Sequence, residues 1–300
     1  MIVADLSTSE LQARLREGLY LRTGPVVSCI TSSQPLLAEG LALHYAGHGI
    51  ESDFADFHVR IDRPRNLRRW YRPQVHFFFD DIPSFHPLPA DQAFPMLEWG
   101  LNWCVTNHCH QYLIIHAAVL EKHGRALVLP APPGSGKSTL CAGLAHSGWR
   151  LLSDELALID PRSGHVVPLP RPVSLKNQSI DILRQFAPHA IFNRTVADTI
   201  KGSVAHMRAP SDALARATET AAPGWIVLPR FEADAEPQLQ EISRARGMMA
   251  LIENAFNYDL HGRRGFDTLG DFADACRCYT FTYGSLADAI AGCEQLAAAT

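Results

Sequence analysis

No apolar run in these 300 residues approaches the roughly 20 that a bilayer span requires; stretches such as Tyr112–Leu120 stop well short. Charge of either sign is scarcely in excess: 27 basic residues face 31 acidic ones, a net charge of −4. The chain as a whole is therefore no electrostatic trap for nucleic acid or an anionic membrane. Cysteine is sparse and odd in number, seven scattered along the chain, which fits reduced cytoplasmic thiols better than a disulfide framework. The opening Met1-Ile-Val-Ala-Asp-Leu lacks the basic start and long apolar stretch of a secretion signal. Internal repeats are absent, and the only biased tract is the Ala-rich tail. What is present is ordinary globular material, 47% hydrophobic and 19% charged. A chain of this length buries roughly 75% of its unfolded surface, so a core forms without metal or disulfide staples. The expectation is a soluble, cytoplasmic protein of one or two domains.

The first segment reads as a capped helix. Ser7 and Glu10 have capping-box spacing, Leu6 and Leu11 form a staple pair, Leu11 and Leu15 share a face, and Gly18 closes it. Between Pro25 and Pro95, short apolar pieces (Val26–Ile30, Val75–Phe79) alternate with Pro, Gly and Asp, which predicts a β-rich module. Met96–Asn107 follows as a linking helix, with Trp99 and Trp103 on one face. The predicted division is residues 1–107 for this module and its helix, and 108–300 for a catalytic domain.

Within the second stretch the pattern becomes strand, loop, helix, strand. Tyr112–Leu120 and Ala126–Ala131 are apolar strands around the turn Glu121–Arg125. Ser138–His146 is a helix closed by Gly148, and Arg150–Ser153 and Leu156–Ile159 are further strands. Later, Trp225–Leu228 and Cys278–Tyr283 read as strands, Met248–Phe256 and Ser285–Ala299 as helices. The fold class this predicts is α/β, built around a nucleotide-type unit.

The strongest chemical signal is Ala131-Pro-Pro-Gly-Ser-Gly-Lys-Ser-Thr139. It follows the Walker A pattern of a phosphate-binding P-loop, G-x-x-x-x-G-K-[ST], with Ala131 in the place of the first glycine. A strand before it and a helix after it are the context the motif requires. Pro133, Gly134, Ser135, Gly136, Lys137, Ser138 and Thr139 are the candidate nucleotide-binding residues. Backbone N–H groups from Gly134 to Lys137 would wrap a phosphate at the helix N-terminus. Lys137 would neutralise the β- and γ-phosphates of ATP, and the Ser138 hydroxyl would ligate Mg²⁺. The competing account is a plain Gly/Ser turn capping a helix.

Seventeen residues after Lys137 stands the acidic pair Asp154-Glu155, at the end of the apolar run Leu151-Leu-Ser. A P-loop enzyme needs one acidic group for its metal shell, and a kinase needs another to take the proton of the attacking hydroxyl. The two could split these tasks, because strand neighbours point to opposite faces unless the chain bends. The bland alternative is a solvated acidic turn.

Together, His116-Ala-Ala-Val, Gly124, Pro133-Gly-Ser-Gly-Lys-Ser138 and Ser147-Gly-Trp-Arg-Leu-Leu-Ser-Asp-Glu155 resemble the catalytic domain of HPr kinase/phosphorylase over residues 111–160. The chain further resembles the narrower group of HPr-kinase-related kinases, type A. The segments that carry this are Leu97-Glu-Trp-Gly-Leu-Asn-Trp103, Pro170-Arg-Pro-Val-Ser-Leu-Lys-Asn177 and Lys201-Gly-Ser-Val-Ala-His206. The resemblance implies a P-loop domain like the C-terminal domain of HPr kinase. It implies Asp154 as catalytic base, Glu155 and Ser138 as metal-shell groups, Lys137 as phosphate clamp and His116 as a partner near the reacting centre. It also implies a homo-oligomer and, through the narrower group, a ribosomally made peptide as acceptor. Two positions depart from the wider family: Glu155 stands where Asp is usual, and the glycine-rich segment after the core is missing. Lys201–His206 lies in comparable sequence territory.

Weaker clusters remain. Arg171, Lys176, Lys201, His206 and Arg208 follow the core, and Lys176 and Lys201 could help hold nucleotide or acceptor, or could be solvated loop charges. Arg60, Arg63, Arg65, Arg68, Arg69 and Arg72 surround Trp70 and Tyr71. They read as a solvated or internally paired face, as a dock for an acidic partner, or least of all as a nucleic-acid surface. Cys104, His108, Cys109 and His110 invite a zinc reading, but no second pair lies at a matching distance, so buried thiols are preferred. The expected activity is ATP- and Mg²⁺-dependent phosphoryl transfer to a Ser or Thr hydroxyl of a protein or peptide. The alternatives are a nucleotide-gated ATPase or binding protein that modifies nothing, and a small-molecule kinase.

Overall fold

Ser7 opens the first helix as its spacing predicts. Its Oγ accepts the Glu10 N–H at 3.3 Å, and the Glu10 carboxylate accepts the Ser7 N–H at 2.8 Å. The helix α1 (Thr8–Glu17) buries Leu11 and Leu15 and ends at Gly18, whose φ of +131° suits a glycine. The computed structural model describes residues 1–132 and 134–299, and the chain is a mixed α/β protein of two units. One unit comprises Met1–Val105, Ser174–Ile180 and Ala190–Arg208; the other comprises Thr106–Val173, Asp181–His189 and Ala209–Thr300. The division read from the sequence, 1–107 and 108–300, omits the two segments that return to the first unit.

The first unit holds a sheet of β1 (Leu19–Thr23), β2 (Val26–Ser32), β3 (Phe57–Asp62), β4 (Gln74–Phe79) and β5 (Ile82–Pro83) in that order, with β6 (Leu88–Pro89) also on β4. It is not simply β-rich. The helix α2 (Pro35–His44), with proline in its first turn, crosses between β2 and β3, and those two strands are therefore parallel. The linking helix α3 (Ala93–His108) starts before Met96 and packs so closely that a Cβ on Gly100 would sit 2.0 Å from the Phe77 ring. A small sheet, β12 (Val173–Lys176), β14 (Gly202–Met207) and β13 (Val196–Thr199) in that order, adds the returning segments, and α5 (Gln178–Phe186) runs across the boundary between the units.

The second unit is organised on β7 (Leu113–Lys122). Its sheet runs β11 (Val166–Val167), β10 (Leu156–Ile159), β7, β8 (Arg125–Pro130), β15 (Ala222–Phe231), β17 (Arg277–Tyr283), β16 (Gln238–Glu241), with β9 (Arg150–Ser153) also on β7. β8, β15 and β17 are parallel, and β7 returns antiparallel to β8. Leu113, Ile115, Ala117 and Val119 of β7 join one cluster with Leu251, Leu269 and Phe272 of α7 (Arg244–Glu253) and α8 (Tyr258–Asp274). Alternation sends the equally buried Ile114, Ala118 and Leu120 to the other face. That is why β7 reads as an unbroken apolar run. Behind the sheet, α4 (Lys137–Ala145) meets α9 (Leu286–Ala298), where a Cβ on Gly143 would lie 2.7 Å from Leu286. Across β7 and β9 the buried Arg150 Nε donates to Glu121 Oε2 at 2.5 Å, and the same guanidinium donates to the carbonyls of Arg216 and Glu219, just beyond α6 (Ser211–Ala215). No helix among the described residues is long and apolar enough to cross a membrane.

Candidate functional site

β8 stops at Pro130, and the loop that follows carries the chain to α4 from the C-terminal end of a parallel strand. Gly134 and Gly136 both have φ of +88°, the left-handed region that glycine occupies at least cost. Ala131 is not among the residues with positive φ, so the first-glycine position of the usual pattern tolerates a side chain here. Gly136 is the N-cap of α4; no side chain caps it among the described residues. The first intrahelical bond runs from the Leu140 N–H to the Gly136 carbonyl, so the amides of Lys137, Ser138 and Thr139 precede any acceptor one turn back. That end of the helix is electropositive. Pro133, an expected loop contact, lies outside the described residues.

The loop is pressed against two neighbouring strand ends. The Phe231 N–H, at the end of β15, donates to the Ser135 carbonyl at 3.2 Å. A Cβ on Gly136 would lie 2.6 Å from the Tyr283 Oη, at the end of β17. Tyr283 is buried, and burial pushes its phenol pKa up, with Cys293 adding to the effect. The loop thus sits outside the carboxyl ends of β8, β15 and β17, where open α/β sheets hold ligands.

Lys137 is turned inward and only 7% exposed. Its Nζ donates to the Ala131 carbonyl at 3.0 Å and stands 3.1 Å from His116 Nε2. An ammonium has only donors, so Nε2 is the acceptor in this contact. His116 is fixed on β7 opposite Leu156 of β10, and its N–H donates to the Asn254 carbonyl at 2.7 Å. Residues 254–256 occupy this edge of β7 because β8 has already left it; Ala117 and Pro130 are the last pair. Phe256, expected to be helical, instead bonds to Ile114 here, and its ring lies 5.9 Å from that of His116.

Asp154 and Glu155 do not lie on a strand. β9 ends at Ser153 and β10 begins at Leu156, both paired with β7, and the acidic pair fills the bend between them. The bend is held by the Leu156 N–H donating to Ser153 Oγ at 3.1 Å and by the Ala117 N–H donating to the Glu155 carbonyl at 3.2 Å. Asp154 is 5% exposed, and Glu155 is half-buried. The Cys141 thiol, one turn along α4 from Lys137, donates to the Ser153 carbonyl at 3.9 Å and lies within reach of the Asp154 charge. Burial first, and then the Asp154 charge, push this thiol well above its usual range, so it acts as a neutral donor and not as a nucleophile.

The buried Lys137, Cys141 and Asp154 and the half-buried His116 therefore gather at the strand ends, all within the second unit. The arrangement offers an anion a helix terminus and a cation, and Ser138, Asp154 and Glu155 carry oxygens of the kind a hard cation takes. Cys141 escaped the sequence reading, although it lies four residues after Lys137 on the same helix. Phe231 and Tyr283 escaped it too; their signal was position, each at the carboxyl end of a parallel strand.

The other candidates are placed differently. Lys176, Lys201, His206 and Arg208 belong to the first unit. There Lys201 stacks over Trp99 at 4.7 Å, His206 meets Phe94 edge-on at 5.1 Å and Arg208 Nε donates to the Leu43 carbonyl. Arg171 is buried in the second unit. Cys104 and Cys109 are buried and in no disulfide, and no group of three or more His, Cys, Asp or Glu that could hold a metal ion occurs among the described residues.

Residues 92–191, a third of the chain, match the family described as SynChlorMet cassette protein ScmC. The matched stretch contains the loop, His116, Lys137, Cys141, Asp154 and Glu155, whereas Phe231 and Tyr283 fall outside it. No curated protein matches the sequence.

Proposed function

We propose that the chain is an ATP- and Mg²⁺-dependent phosphotransferase with a P-loop domain of the HPr kinase type, acting on a Ser or Thr hydroxyl of a protein or peptide. The observation that carries this reading is the buried group at the strand ends. There the Lys137 ammonium stands 3.1 Å from His116, and its charge and that of the Asp154 carboxylate both reach the buried Cys141 thiol, at the glycine-rich start of α4. A simple capping turn does not require a buried cation and a buried carboxylate together, since isolated charges are costly to bury.

In this reading the amides from Gly134 to Ser138 and the Lys137 ammonium bind the ATP phosphates, and α4 adds its dipole. Ser138 and Glu155 supply oxygen ligands for Mg²⁺, which when bound neutralises charge on the phosphates. Asp154 takes the proton of the attacking hydroxyl, and His116 orients the Lys137 ammonium from the floor of the site. The burial of Asp154 keeps competing water from the acceptor position. The resemblance of Leu97–Trp103, Pro170–Asn177 and Lys201–His206 to HPr-kinase-related kinases of type A supports a ribosomally made peptide as acceptor. Buried cysteines outside any disulfide, together with a need for ATP, support a cytoplasmic setting.

The test is incubation with γ-labelled ATP, Mg²⁺ and candidate peptides encoded near the gene, read by mass spectrometry. Phosphate appearing on a peptide Ser or Thr is the expected result. ATP hydrolysis without transfer to any candidate would overturn the kinase reading in favour of a nucleotide-gated ATPase.

A further inference from the structure

The arginine-rich segment of the first unit shapes a pocket that the proposed chemistry does not use. It has a volume of about 700 Å³, and Arg60, Arg63, Arg65 and Arg69 line it together with Asp62 and Asp81. Four guanidinium groups against two carboxylates leave the wall with two net positive charges, in a chain whose overall charge is −4.

Both carboxylates are already engaged. Asp62 Oδ1 accepts from the Ser33 amide at 3.2 Å, the Ser33 hydroxyl at 2.6 Å and the Gln34 side-chain amide at 3.3 Å. Asp81 is held by Arg60 at 3.0 Å. Two of the arginines are also fixed in place. Arg60 stacks on the Phe78 ring at 3.8 Å, and Arg63 donates to Gln34 Oε1 at 3.0 Å. Arg63, Arg65 and Arg69 have no carboxylate within ion-pair distance among the described residues, so their charge faces the cavity uncompensated. Beside the pocket, the loop exposes Leu67, Trp70 and Tyr71 at 79%, 73% and 67%. Arg, Trp and Tyr are the residue types on which binding energy concentrates at interfaces, and exposed large aromatics are seldom left without a partner surface.

We infer that this pocket docks an acidic peptide segment, with carboxylates received by Arg63, Arg65 and Arg69 and apolar side chains laid on Trp70 and Tyr71. The planar guanidinium matches a carboxylate through paired N–H donors, and the pre-positioned Arg60 and Arg63 lower the ordering cost of binding. Nucleic acid fits less well. Its backbone presents a charge about every 1.7 Å along a duplex and calls for an extended basic track, whereas this site is one concavity with two aspartates in its wall. The inference rests on the peptide-acceptor reading for its partner: the pocket would hold the acceptor at a point remote from the hydroxyl that reacts, which converts remote binding into transfer efficiency.

The experiment measures binding alone, on the full chain without nucleotide, so that failure of the ATP chemistry leaves its result untouched. The probe is a short fluorescein-labelled peptide alternating Glu with Leu and Phe, compared with the same peptide carrying Gln in place of Glu, by fluorescence anisotropy. The Glu peptide is expected to bind about tenfold more tightly than the Gln peptide, with an affinity that falls as salt rises. The double substitution Arg65→Ala and Arg69→Ala should weaken the Glu peptide about tenfold with an unchanged circular dichroism spectrum. Arg68→Ala with Arg72→Ala, outside the pocket lining, should change it by less than about twofold. Equal binding of the two peptides, or no effect of the Arg65/Arg69 pair, overturns the inference. So does tighter binding of a labelled single-stranded oligonucleotide, which would make the segment a nucleic-acid surface. Peptide phosphorylation without such binding would overturn the docking site while leaving the kinase reading in place.

Discussion

Lys137 Nζ and His116 Nε2 stand 3.1 Å apart, although the two residues sit on opposite sides of a strand reversal and a glycine-rich loop. Lys137 is the first residue of α4, and His116 lies on β7 just where β8 departs from it. The contact is thus a consequence of β8 ending at Pro130: the chain must leave the sheet there, and the histidine beside the gap reaches the lysine that enters it.

The first prediction follows from that pair. Lys137→Ala removes a charge-assisted contact worth about 1.5–3 kcal/mol, so ATP affinity should fall at least about tenfold. His116→Ala should weaken ATP less, because the histidine acts through the lysine. Titration calorimetry on both variants checks this. Unchanged ATP affinity in a folded Lys137→Ala protein would remove the nucleotide assignment.

Gly136 carries the second. An alanine there must adopt a φ of +88° and bring its Cβ to 2.6 Å from the Tyr283 Oη. The strained backbone costs about 1–3 kcal/mol, and the collision adds to it. Gly136→Ala should lower the thermal midpoint and abolish tight nucleotide binding. Tyr283→Phe removes the hydroxyl, so the double variant should recover part of the stability but not all of it. Full recovery would mean that the left-handed backbone is not what the loop requires.

How much of this was legible beforehand depends on whether the cause was local. The Ser7 cap, the loop with its strand and helix, and the apolar runs that became β7, β8 and β10 are set by neighbours in sequence, and they were readable. The helix α2 was not, because Pro35–His44 is apolar around much of its circumference and lacks the one-sided stripe that marks an amphipathic helix. Nor could spacing show that Asp154 and Glu155 leave the strand. That bend is made by the Ser153 hydroxyl and by pairing of both flanks with β7. The place of Asn254 and Phe256 beside His116 depends on β8 vacating one edge of β7, a tertiary event without a local signature.

The third prediction concerns the first unit. His44 is fully buried, stacks on Phe94 at 5.0 Å and meets the edge of His206 at 6.2 Å. Burial, and then the Arg208 charge, hold its pKa down to about 3. An unfolded imidazole takes a proton near pH 6.5, whereas the folded one remains neutral until far lower. Between those values the unfolded state binds the extra proton, so stability is full above about pH 6.5 and declines below it, by up to about 1.4 kcal/mol per unit. Denaturant midpoints at neutral and mildly acidic pH should show this decline, and His44→Leu should flatten it. An identical slope in the variant would assign the pH dependence to other groups.

The fourth prediction separates the two carboxylates. Asp154 is buried and its charge reaches the Cys141 thiol, whereas Glu155 is half-buried on the same bend. If Asp154 takes the acceptor's proton, Asp154→Asn keeps the size and most of the hydrogen bonding but removes the base. General-base catalysis contributes about 10²–10⁴-fold, so transfer should fall at least about a hundredfold while ATP·Mg²⁺ binds within a few-fold of wild type. Glu155→Gln should instead raise the Mg²⁺ concentration needed for activity, and added Mg²⁺ should restore part of the rate. Cys141→Ala provides a third reading. The thiol donates to the Ser153 carbonyl, next to Asp154, so its loss should shift the pH profile of transfer and lower kcat modestly, with ATP affinity unchanged. Near-normal transfer by Asp154→Asn would exclude it as the base. Equal loss of nucleotide binding in both carboxylate variants would make the pair one shared metal site, and the proton acceptor would then have to be sought elsewhere.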